Sequence, residues 1–356
     1  MRLSAVAAIS VSSVLMSALG GFAFAQTPSA IRISGPIVHE NLAVYFVHGQ
    51  SAPGKVPLTL EEALAKGLVQ VRETSNVNQL EIENLATEEV FVQSGDIVKG
   101  GKQDRTLMMS LLLPPQSGPV PIASFCVEQG RWSPRGREDA SRFSTASASV
   151  PSREMKLAIR APLAAATRPG DRPTDSADIS QRQQQVWANV RQTQARLGDN
   201  IGASVSSSRS ASSLQLALEN EKLLDSQRTY VKALEAAGEA DDIVGYVFAV
   251  NGKLNSADIY PSNGLFRKMW GKLLTASAIE AISHKDEPRA DAPGVVAVTA
   301  FLADGESGKT SERPLNAGVR LETREGDHAY FFETAKHAGT AAAPASAWVH
   351  RNYLAK

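Results

Sequence analysis

Gly100-Gly101-Lys102-Gln103-Asp104-Arg105 and Cys126-Val127-Glu128-Gln129-Gly130-Arg131-Trp132 hold the chain's densest collection of groups able to do chemistry. Each closely follows a β-like run, so each reads as a strand corner. Paired glycines permit positive φ and let neighbouring N–H groups converge on an anion. Lys102 and Arg105 would add positive charge there, and Gln103 can both donate and accept. Arg131 beside Trp132 offers a planar fork against an aromatic face, suited to a carboxylate, a phosphate or a ring. Glu128 would act as an acid or base if burial raised its affinity for a proton. A structural alternative stands beside this one. In it, Gly100-Gly101 is a tight turn, Glu128 pairs with Arg105 or Arg131 to tie two strands, and Trp132 plugs the core. Asp258, after an Asn251-Gly252 turn, is a secondary candidate with a capping or turn alternative.

Other familiar chemistries are missing from the sequence. One cysteine, Cys126, allows neither C-x-x-C nor an intrachain disulfide, and reads as a small buried apolar residue. His39, His48, His284, His328, His337 and His350 never fall at H-x-H or H-x-x-x-H spacing, so no local metal motif is expected. Ser51 misses the G-x-S-x-G pattern by one position, and no serine has a lysine three residues later. Gly95 to Lys102 departs from a P-loop at Asp96 and Gln103, which removes the hydroxyl that would hold Mg²⁺. No cofactor and no metal are expected. The balance of 37 basic and 37 acidic residues offers no general pull on nucleic acid or anionic lipid, so any anion site must be local.

The elements that would carry these corners divide into a β-rich front and a helical rear. Residues 1–25 read as a signal peptide: Arg2, an apolar run from Leu3 to Leu19, and Ala23-Phe24-Ala25 before cleavage. The expectation is a periplasmic or secreted bacterial protein with no integral membrane segment after cleavage. Residues 26–132 read as an antiparallel β region, a sandwich or partial barrel, with Leu42 to Val47, Val69 to Arg72, Leu80 to Ile82 and Val90 to Val92 as strands. Arg105 to Leu113 reads as one long apolar run and Gly118 to Val127 as the next strand. Thr59 and Glu62 form a capping box for a short helix stopped at Gly67. Residues 133–178, rich in Ser, Ala, Arg and Pro, read as a long surface connection, with room for one helical turn at Met155 to Ile159. In 179–303, Ile179, Val186, Val190 and Leu197 keep one helical stripe, and Ser212 with Gln215 makes a second capping box. A hairpin over about 244–260 turns at Asn251-Gly252, and Ser262 caps a further helix. Residues 304–356 hold a hairpin through Glu325-Gly326-Asp327 and an edge strand at Trp348 to His350.

Gly95 to Arg105 and Cys126 to Trp132 resemble the ARG and Rhodanese-Phosphatase-superfamily-associated Protein domain family. So do Val244 to Phe248, Asn251-Gly252-Lys253, Ala257 to Tyr260 and Leu265 to Leu274. The resemblance runs from about residue 36 to about 303. It implies no established activity and carries over no catalytic residues. The family's name implies association with other domains, including enzymes of the ADP-ribosylglycohydrolase type, and so a contextual link to nucleotides or ADP-ribose.

The expected protein is α+β, with the N-terminal antiparallel β region packed against the later helices and a β-hairpin. The leading expectation is an exported binding protein. It would hold a small anionic or polar ligand, or a partner's acidic segment, at Gly100, Gly101, Lys102, Gln103, Arg105, Glu128, Arg131 and Trp132. One alternative is a metal-independent hydrolase with Glu128 as acid/base, acting on a nucleotide- or ADP-ribose-like substrate. Another is an envelope structural or assembly protein.

Overall fold

The computed structural model describes residues 31–74, 76–135, 143–160, 176–315, 318–336 and 348–356. The expected signal peptide, residues 1–25, lies outside the described residues. Residues 31–356 form one unit by their contacts. The architecture is α+β, and three sheets carry it.

The largest sheet has eight antiparallel strands, in the order Arg32–His39, Leu42–His48, Ile243–Val250, Lys253–Ile259, Trp348–Ala355, Ala329–Lys336, Val319–Glu325 and Lys309–Pro314. Both chain halves therefore build it. Every residue of Ile243–Val250 is buried, which a one-sided sheet would not permit. The reason is a helix on each face. Phe46, Tyr246 and Phe248 meet Phe266 and Trp270 of the helix Asn263–Ser283 on one side. Tyr45, Val47, Val247 and Ile259 meet Val298, Phe301 and Leu302 of the helix Val295–Ser307 on the other. The hairpin between Ile243–Val250 and Lys253–Ile259 turns on Asn251 and Gly252, both at positive φ as a type I′ turn demands. At Gly252 a Cβ would stand 2.7 Å from the Asp291 carbonyl oxygen, so only glycine fits.

The second sheet runs Phe143–Ser149, Asp96–Gly100, Arg105–Leu107, Gly118–Cys126, Gln79–Asn84 and Val69–Glu73, all antiparallel. A small third sheet pairs Val90–Val92 with Leu58–Thr59 in parallel and with Leu111–Leu113 antiparallel. Thr59 caps the helix Leu60–Ala65 through the reciprocal contacts with Glu62 expected from sequence.

Four local expectations are corrected. The run from Arg105 to Leu113 is two strands in different sheets, broken at Met108 to Ser110. Hydrophobicity alone does not mark that break, because both halves are buried. Within 133–178, Phe143–Ser149 is a sheet strand and Arg153–Arg160 a helix that buries Met155, Ala158 and Ile159, so these parts are not surface connection. The helix cap is Ser213, not Ser212; its hydroxyl accepts from Leu216 N–H, and the helical stretch restarts at Asn220. Trp348–Ala355 lies inside the eight-stranded sheet and not at its edge. Among the described residues no helix is long and apolar enough to cross a membrane.

Candidate functional site

The two corners meet. Strands Arg105–Leu107 and Gly118–Cys126 pair with Cys126 opposite Arg105, which brings the residues beyond each strand end together. The Asp104 amide donates to Glu128 Oε2 at 3.1 Å and Gln103 Nε2 donates to the Glu128 carbonyl at 3.0 Å. Gly101 sits at φ +53°, where a Cβ would come within 2.3 Å of the Phe143 ring.

What assembles there is an ionic knot. Arg131 Nε lies 2.7 Å from Glu128 Oε2, an ion contact whose N–H does not point at the oxygen. The same guanidinium donates to the Gly100 and Gly101 carbonyls. Arg135, which carried no signal in the sequence, grips Asp104 with two hydrogen bonds of 2.7 and 2.8 Å and stands 3.5 Å from Glu128 Oε1. Ser213 Oγ donates to Asp104 Oδ2, so the knot also anchors the helix Leu214–Leu218. Nearby, Arg105 meets Glu73 Oε2 at 3.4 Å and the Gln103 side-chain oxygen at 3.1 Å.

Glu128 is 0 % exposed, with a guanidinium against each carboxylate oxygen. Two acids and two arginines balance here, the arrangement by which buried charges remain tolerable. The Lys102 side chain faces solvent, and Trp132 is 56 % exposed and plugs nothing. Cys126 is buried, and desolvation pushes its thiol up to about 11, far from a thiolate nucleophile.

A second polar cluster lies between the helix Arg153–Arg160 and the large sheet. Here a cavity of about 20 Å³ is bordered by Lys156, Arg160, Asp258, Tyr246, Ser94 and Asn352, among others. That volume suits about one water or one small polar group. Arg160 Nε donates to Ser94 Oγ at 2.6 Å, and its Nη1 donates to Asn352 Oδ1. Burial lowers Arg160 to about 10 and also lowers the Lys156 ammonium, with Asp258 and Glu280 opposing the latter shift. Among the described residues the Lys156 ammonium makes no hydrogen bond or ion pair; its neighbour is the Phe248 ring, 5.4 Å away.

Asp258 anchors the opposite wall. Its Oδ1 accepts from His350 Nε2 at 3.0 Å and from Asn352 Nδ2 at 2.8 Å. Burial would raise this carboxyl, but His350, Lys156 and Arg160 reverse the effect and hold it below its ordinary value. His350 Nδ1 in turn faces Ser110 Oγ at 2.9 Å. The row Ser110, His350, Asp258 has the composition of a nucleophilic relay. Yet Ser110 is buried, and its oxygen already accepts from the Ser94 N–H at 3.1 Å. The row is a satisfied interior network.

Sequence reading singled out Asp258 but missed Lys156, Arg160, His350 and Asn352. Lys156 and Arg160 lie four residues apart, and the helical turn expected there could have marked their shared face. His350 and Asn352, over ninety residues from Asp258, reach it only through strand pairing with Asp258 opposite Asn352.

No curated protein and no solved structure matches this chain. Residues 30–354 match the ARG and Rhodanese-Phosphatase-superfamily-associated Protein domain, nearly the whole chain and wider than the motifs alone suggested. The chain therefore belongs to that family.

Proposed function

We propose that this is an exported binding protein for a small ligand bearing an anionic or strongly polar terminal group, taken up at Lys156, Arg160 and Asp258. The carrying observation is the Lys156 ammonium beside the cavity with no acceptor among the described residues. Lys156 is half-buried and its ammonium has no acceptor among those residues, so a ligand oxygen would gain a charge-assisted hydrogen bond there. Arg160 supplies a second donor and Asp258 an acceptor, so a group with both characters fits best. The cavity admits one such group, with the rest of the ligand lying outside.

In this reading Gly100, Gly101, Gln103, Arg105, Glu128 and Arg131 form a strut and not a ligand site, and the Lys102 and Trp132 side chains stand in solvent beside it. The mutual pairing of Asp104, Glu128, Arg131 and Arg135 supports that role. A hydrolase using Glu128 gains no support, since that carboxylate has no exposed surface from which to exchange a proton. Export rests on Arg2, the apolar run and Ala23-Phe24-Ala25.

Titration calorimetry of the full chain with acetate and with inorganic phosphate tests the site. Binding of either, weakened at least ~10-fold by Lys156→Met and unchanged by Trp132→Ala, is the expected result. No binding of either anion, or equal affinity in Lys156→Met, overturns the assignment.

A further inference from the structure

Beyond the Lys156 cavity, and independent of it, lies a wider cleft of about 190 Å³. It is formed by the first turn of the helix Arg153–Arg160, the hairpin about Asn251, and the last turns of the helix Asn263–Ser283. We infer that it is a divalent-cation site ligated by Glu154, Glu280 and His284.

The first observation is geometric. One ligand atom from each of Glu154, Glu280 and His284 lies within 4.8 Å of the other two. Around a zinc-sized ion with bonds of about 2.1 Å, neighbouring ligand atoms stand about 3–3.5 Å apart, so the set must contract by roughly an ångström. Glu154 and His284 are only half-buried and can move; Glu280 is fixed. Glu280 and His284 are four residues apart, which places them on one helix face.

The second observation is a surplus of acceptors without donors. Glu280 Oε2 is buried and unpartnered, and so are the side-chain oxygens of Asn251 and Asn255, all three residues bordering this cleft. Their orientation is not arbitrary. Asn251 Nδ2 donates to the His284 carbonyl at 2.8 Å and Asn255 Nδ2 donates to Glu280 Oε1 at 3.1 Å, which turns each amide oxygen away from those partners. Buried acceptors left open in this way have lost water without gaining a donor, which is unfavourable. Of these, Glu280 Oε2 belongs to the ligand set itself, and a cation there would satisfy it.

The third observation concerns the histidine. Glu287 Oε1 lies 2.7 Å from His284 Nδ1, so that nitrogen donates to the carboxylate and Nε2 is the ring atom left to face an ion. Nε2 is the ring atom 3.7 Å from Glu280 Oε1. A carboxylate behind a histidine in this way orients and enriches a metal ligand. Arg196 now stands 3.2 Å from Nε2, and Arg153 3.3 Å from Glu154 Oε1. Both supply positive charge where the cation would, and Arg196 must swing aside on loading. Two carboxylates with one imidazole favour a borderline ion such as Zn²⁺ or Mn²⁺ over Ca²⁺.

Titration calorimetry of the metal-stripped full chain with Zn²⁺ and Mn²⁺ alone tests this. One ion per chain should bind, with affinity falling at least ~10-fold in Glu280→Gln and in His284→Gln, and by ~10-fold or more in Glu287→Gln. Circular dichroism of the stripped variants shows whether they fold. Should Glu280→Gln misfold, His284→Gln, which is less buried, decides alone. Failure of both ions to bind the wild-type chain, or affinity unmoved in folded Glu280→Gln or His284→Gln, overturns the inference.

Discussion

Replacing Glu128 with glutamine keeps the number of non-hydrogen atoms in the side chain and removes one charge from a fully buried knot. In the native protein two carboxylates, Asp104 and Glu128, face two guanidiniums, Arg131 and Arg135. After the change both arginines depend on Asp104, which Arg131 approaches only to 3.7 Å. One guanidinium is then left short of a counter-charge where water cannot reach the glutamine. Breaking a buried pair by removing one member costs about 3–5 kcal/mol. For a unit of this size, about 1.5 °C of Tm accompanies each kcal/mol, which gives a fall of roughly 4–7 °C. Urea denaturation of wild type and Glu128→Gln measures the free energy directly, with Trp132→Ala as a control that should stay within about 0.5 kcal/mol. A catalytic acid held in a strained site would give the opposite sign, since its removal relieves the strain. A loss under about 1 kcal/mol, or a gain, would refute the strut and reopen the corner as a functional site.

His350→Gln should flatten the acid limb of the stability profile. Burial holds the native imidazole below its ordinary value, so below about pH 6.5 the unfolded chain binds a proton that the folded chain refuses, and stability falls as pH drops. Urea midpoints between pH 5 and 8 in steps of about half a unit check this. Lys272→Met should cost about 3–5 kcal/mol by stranding Asp96, whose Oδ1 lies 2.8 Å from the ammonium, and adding Asp96→Asn should recover part of the loss. Thr59→Ala should cost about 1 kcal/mol by deleting the helix cap. Thermal and chemical melts of each variant give the readout.

Local grammar was legible in the sequence to the extent that its physics is local. The Thr59 to Glu62 box, the Asn251-Gly252 turn and the Ser262 cap depend on residues within a few positions, and all three form as read. The alternation in Leu80 and Ile82 reports a half-buried strand, and the burial of Gln79–Asn84 follows it. The helix Val295–Ser307 gave no such signal. Its apolar residues run almost all round, which period alone does not separate from a buried strand. The clustering of charged residues on two glycine corners was also visible, because it is a matter of composition.

What those charges do was not visible. Whether Glu128 meets solvent or two arginines depends on Arg135 and Ser213, one beyond the motif and the other 85 positions away, brought in by the docking of a helix. The Lys156 cavity and the Glu280 cleft arise the same way, from a short helix laid against a sheet whose strands come from both ends of the chain. Sequence thus determined the Asn251-Gly252 turn, the Thr59 and Ser262 caps, the alternating strand faces and the family. Tertiary structure alone decided which acids are paired and which acceptors are left open, because desolvation and ion pairing depend on neighbours in space.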